Sequence, residues 1–154
     1  MTSRPDAILG GALLVWMLCA AAPAADLASE LARESQSMKS VCGRCHDLQI
    51  VKDTPRSYDE WHDTVQKMVD RDASGTDEQF EDIMDYLHRT MTTIDVNSAD
   101  ATELKLVLNL PESAAQGIIA RRSVHKFSDL KDLKSVPGVD ASTVDSKARL
   151  IFFQ

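Results

Sequence analysis

"SVCGRCHDLQ", residues 40–49, is the stretch whose reading decides the first half of this chain. Cys42 and Cys45 lie three apart and His46 follows at once. On one helical turn, sulfurs at that spacing reach the two vinyl groups of a porphyrin and form thioethers. The adjacent imidazole then points at the iron as the proximal ligand. A structural zinc site needs a second pair of ligands, and no second pair at ligand spacing exists in the sequence. A thioredoxin-like dithiol needs a βαβ setting, and none is seen. One covalent haem c is therefore the expected cofactor.

Composition agrees with a cofactor-completed domain. The chain has 154 residues, 24 acids against 17 Lys plus Arg, and only 5% aromatic residues. So few aromatics leave little material for a self-sufficient core, and small domains of this kind use a metal, disulfides or a cofactor to complete one. The N-terminus reads as an address. Arg4 precedes an apolar run, "AILGGALLVWMLCAAA", of about 15 residues, the length of a signal-peptide core and short for a membrane span. "APA" at 22–24 supplies small residues for cleavage after Ala24 or Ala25. An uncleaved anchor is the alternative. Cleavage would remove Cys19 and leave Cys42 and Cys45 as the cysteines of the mature chain. The expected compartment is the periplasm, where c-type haems are attached.

Outward from the motif, residues 26–41 carry Leu27, Leu31, Met38 and Val41 on a loose helical face. "SYDE" at 57–60 and "TDEQ" at 76–79 are capping boxes, each opening an apolar stripe: Trp61, Val65, Met68 and Val69, then Phe80, Ile83, Met84, Leu87 and Met91. Charge divides the chain. Residues 25–92 hold 15 acids and 8 bases, whereas residues 93–154 hold 8 of each. A boundary near 92 gives three parts: a signal peptide over 1–24, a haem domain over 25–92 and a second domain over 93–154. The second part reads as four short helices, near 100–108, 112–124, 128–135 and 141–153, and the class is all-α.

With the motif, the capped stripes and "DYLH" at 85–88, residues 26–91 resemble small class I-type bacterial cytochromes c. "EWHDTVQKM" at 60–68 resembles the ligand helix of a short subfamily found beside periplasmic dehydrogenases. The resemblance implies a distal methionine, and Met68 is the expected sixth ligand beside His46; a methionine in an apolar stripe is also ordinary core material. Met84 and Met91 belong to the closing helix. His62 and His88 read as surface histidines. Arg56 reads as an exposed loop arginine, with a haem propionate as its alternative partner.

"IDVNSADATELKLVLNLPESAAQGIIARR", from Ile94, resembles the tandem helix-hairpin-helix module of the competence DNA-uptake protein and the small extrinsic photosystem II subunit. That family implies a G-h-G turn in each hairpin, whose glycines permit tight backbone and whose amides approach a DNA phosphate. Here the turns read Asn109-Leu110-Pro111 and Gly138-Val139-Asp140. Asn109 and Gly138 keep the left-handed turn. Pro111 has no N–H to give, and Asp140 puts a negative charge where phosphate would lie. Arg121, Arg122 and Lys126 form a small basic group, read as a solvated helix face.

These readings make the chain a periplasmic monohaem c-type cytochrome: an electron carrier rather than an enzyme, since no base or carboxylate cluster accompanies the motif. Its second domain would dock a redox partner protein, a periplasmic dehydrogenase or oxidase. The alternative is an exported DNA-binding helix-hairpin-helix protein with a haem sensor or anchor, nucleic acid being the less favoured partner. An open sixth position would instead mark a haem enzyme or gas binder.

Overall fold

The structure, a computed structural model, describes residues 24–154. The expected signal peptide, 1–24, lies outside the described residues except for Ala24. The order is α1 Ala24–Val41, a 3-10 turn Cys42–Arg44, α2 Gln49–Lys52, α3 Tyr58–Val69, α4 Asp77–Met91, β1 Ile94–Asp95, α5 Ala101–Leu108, α6 Glu112–Arg122, α7 Leu130–Lys134, α8 Ala141–Ser146, a 3-10 turn Ala148–Leu150 and β2 Ile151–Phe152. Among the described residues no helix is long and apolar enough to cross a membrane.

Two hydrophobic clusters form, one on each side of the expected boundary. Met38, Val41, Trp61, Ile83, Leu87 and Met91 make the first. The second is larger and runs from Ile94 to Ile151, with Leu104, Leu108, Ile118, Leu133 and Val144 fully buried in it. In the first, α1 packs along α4 through polar contacts as well as apolar ones. Asp82 is buried and accepts from Arg33 Nε at 2.9 Å and from Ser37 Oγ at 2.8 Å. Glu34, fully buried, faces Arg89 Nε at 3.3 Å. Burial pushes the Glu34 carboxyl up, and Arg89 opposes that rise.

Helix starts follow the sequence closely. Ser57 with Glu60, Thr76 with Gln79 and Asp100 with Glu103 each form a reciprocal capping box, and such caps contribute about 1 kcal/mol each. At Gly75 a Cβ would lie 3.1 Å from Val41 Cγ2 and 3.2 Å from Phe80 Cε2, so the turn before α4 fits tightly against α1.

In the second half, α5 and α6 form one hairpin and α7 and α8 another. Asn109 adopts a left-handed conformation (φ 51°) and Gly138 does so at φ 84°. A Cβ on Gly138 would also meet Ala114 Cβ at 3.2 Å, so glycine is needed for space as well as for torsion. Asn97 anchors the start of this half: its Nδ2 donates to Phe127 O at 2.9 Å and its Oδ1 accepts from Phe127 N at 2.8 Å.

Two expectations are corrected. The last helix does not run over 141–153; α8 ends at Ser146 and the chain turns into β2. The all-α class is accordingly too strict. The fold is mostly helical, but β1 and β2 pair in parallel, with Ile94 opposite Ile151 and Asp95 opposite Phe152. Burial of Ile94 and Ile151 in one cluster favours this pairing over a longer helix, because a helix would carry Ile151 away from Ile94.

Candidate functional site

Cys42 and Cys45 sit at the end of α1, where the helix tightens into a 3-10 turn. His46 N–H and Cys45 N–H both donate to Cys42 O, at 3.1 and 3.3 Å, so one turn carries the three motif residues. Cys42 is half-buried, while Cys45 and His46 are exposed. Burial, and then the neighbouring Cys45, pushes the Cys42 thiol up. A redox dithiol needs the opposite shift.

All three residues line one cavity of about 450 Å³, a size within the range of cofactor sites, about 300–1,000 Å³. Met68, half-buried on α3, lines the same cavity. The walls are apolar: Met38, Val41, Ile50, Val51, Trp61, Val65, Phe80, Ile83 and Leu87. The cations lining it are Arg44, Arg56 and Arg71. The fold thus brings together the four residues that the sequence singled out from two separate elements.

The other candidates divide. Met84 and Met91 pack in the apolar cluster and do not line this cavity, whereas Met38 does. In the sequence Met38 reads as a packing residue of the helix over 26–41, with nothing local to mark it as a cavity sulfur. Arg56 is not a free loop arginine: it is half-buried, lines the cavity and lies over the Trp61 ring, 5.6 Å from its centroid. His62 is exposed as expected.

His88, expected to face solvent, is buried at 2% exposure. It stacks on Tyr58 with ring centroids 3.9 Å apart and planes at 15°. Burial and the nearby His62 push its pKa down to about 4. Its spacing from Met84 (i, i+4) and Met91 (i, i+3) was the signal for this placement.

The hairpin residues are occupied within the chain. Asp140 caps α8, and its carboxylate accepts from Ser142 N at 3.2 Å and Thr143 N at 3.1 Å, and from both hydroxyls at 2.6 and 2.7 Å. Those bonds hold its pKa down at about 2. Pro111 caps α6 without a side-chain bond. Of the small basic group, Lys126 is exposed as expected, whereas Arg121 and Arg122 are half-buried. Arg122 Nη1 donates to Val96 O and Ala99 O at 2.8 and 2.7 Å, Arg121 pairs with Asp132, and Lys126 Nζ reaches Gln154 O at 3.3 Å.

Residues 90–151 match the helix-hairpin-helix motif family. No curated protein and no solved structure matches the chain. Among the described residues no group of three His, Cys, Asp or Glu could hold a metal ion on its own.

Proposed function

We propose that this chain is an exported haem c protein that carries electrons, with its helix-hairpin-helix half serving to dock it to a redox partner protein. The observation that carries the haem reading is the shared cavity: Cys42, Cys45, His46 and Met68 all line one apolar space of about 450 Å³. The residues fit the group. Cys42 and Cys45 are free thiols at one end of a helix, able to add across two vinyl groups. His46 would be the proximal ligand and Met68 the distal one. Arg44, Arg56 and Arg71 are the cations that could meet haem carboxylates.

A haem held by histidine and methionine supplies one-electron chemistry without binding substrate. The protein's part is then to exclude water and hold the ligands still. Trp61, Ile83 and Leu87 are almost completely buried and form the dry wall that does so. No acid or base of the chain is needed in that role.

The second reading is an exported nucleic-acid-binding protein in which the haem domain is a sensor or anchor. The family match favours it, because helix-hairpin-helix motifs are typically nucleic-acid-binding. The hairpin chemistry speaks against it: Asp140 already fills its own amides, Pro111 offers none, and Arg121 and Arg122 are committed inside the module. The haem belongs to both readings; the role of the module separates them.

The test is a pyridine haemochrome spectrum of protein made with the haem-attachment machinery. One covalent haem per chain is expected, lost in the Cys42→Ala, Cys45→Ala double variant. A b-type spectrum, or zinc in place of iron, would sink both readings.

A further inference from the structure

We propose that the cavity and the hairpin module are mechanically coupled through Trp61 and Arg56, so that filling the cavity fixes how the module is held. The inference rests on the haem reading above. Each of these residues faces two ways. The Trp61 ring lines the cavity and its Nε1–H donates to Met91 O at 3.3 Å. Arg56 lines the cavity with its guanidinium over the Trp61 ring, while its backbone N–H donates to Met91 O at 3.4 Å and its carbonyl accepts from Thr93 N at 2.8 Å. Thr92, between them, is buried, and its hydroxyl donates at 3.0 Å to the carbonyl of Leu87, another cavity residue.

Residues 91–93 are the chain segment from which the module hangs, since β1 begins at Ile94. That strap is therefore bonded to the cavity wall at every residue. A second attachment is Lys147, whose ammonium donates to Arg89 O in the last turn of α4 and to Val107 O in the last turn of α5. The packing of α4 against α5 is a third, so the strap sets how the module seats on these two.

The physical link is the indole. A flat apolar body packed against Trp61 restricts its ring, and a fixed ring keeps its N–H aimed at Met91. Packed interiors have discrete arrangements and do not deform smoothly, so a change on one face of Trp61 reaches the other. Whatever binds the module would then sense whether the haem is attached.

Amide hydrogen exchange on the full chain tests this at the bonds themselves. In the haem-loaded protein the Thr93 amide should be protected. In the Cys42→Ser, Cys45→Ser variant it should exchange about tenfold faster or more, the size expected for losing a hydrogen bond, with Leu104 and Ile118 unchanged. If that variant also loses protection at Ile83, its haem domain has come apart, and haem-loaded Thr92→Val decides, because Thr92 holds the strap without lining the cavity. Loosening the strap there should speed exchange of the Trp61 indole N–H, with Ile83 and Leu104 unchanged. Equal indole protection in Thr92→Val and the parent, with haem attached in both, overturns the coupling and leaves the haem reading standing. A parent chain that takes up no covalent haem overturns the haem reading, and the coupling with it.

Discussion

The carboxylate of Asp140 accepts from the Thr143 backbone N–H at 3.1 Å, at the start of α8. The side chain is an anion on helix-terminal amides that have no backbone partner. We expect no duplex binding by the parent protein at physiological salt. The Pro111→Gly, Asp140→Gly variant should gain salt-sensitive affinity, because it restores an amide and removes a charge. An anisotropy titration with duplex DNA checks both statements; micromolar binding by the parent would favour the nucleic-acid reading.

Met68 is the cavity methionine on α3, and Met38 is the other methionine that lines the same space. If Met68 is the sixth ligand, the oxidised protein shows the weak far-red sulfur-to-iron band, and Met68→Ala removes it and lowers the reduction potential. Persistence of the band in Met68→Ala, with its loss in Met38→Ala, would reassign the ligand to α1.

His88 gives the first half of the chain a pH signature. Its folded pKa is pushed down to about 4 from 6.5, so between those values the unfolded chain binds more protons than the folded one. Stability therefore falls as pH drops through that window and the loss levels off below it, amounting to at most about 3 kcal/mol. His88→Phe keeps a ring against Tyr58 and abolishes the titration. Thermal melts from pH 7 to pH 4 should show a shallower decline in the variant than in the parent; parallel declines would show that His88 titrates normally.

Arg122 is a structural residue on this geometry, holding the turn at Val96–Ala99 through two carbonyls. Arg122→Met keeps the stem and removes both donors. Leaving those carbonyls without a donor should cost the module about 1–3 kcal/mol. Denaturant unfolding followed by far-ultraviolet circular dichroism measures it. An unchanged midpoint would return Arg122 to the pool of free surface cations.

The sequence alone fixed what depends on neighbours in the chain. The capping boxes at Ser57, Thr76 and Asp100, the left-handed turns at Asn109 and Gly138, and the C-x-x-C-H turn are set by residues within four positions of each other, so they could be read directly. The helix-hairpin-helix pattern matched over residues 90–151 was legible too. Tertiary packing decided the rest. Whether Met68 meets the cysteines depends on how α3 lies against the end of α1. His88 is buried because Tyr58, thirty positions earlier, stacks on it. Arg121 and Arg122 look like free cations until Asp132 and the Val96 carbonyl come near, and the last helix stops at Ser146 because Ile151 pairs with Ile94. A side chain's partners across the fold are set by which helix faces meet, and local pattern carries no record of that.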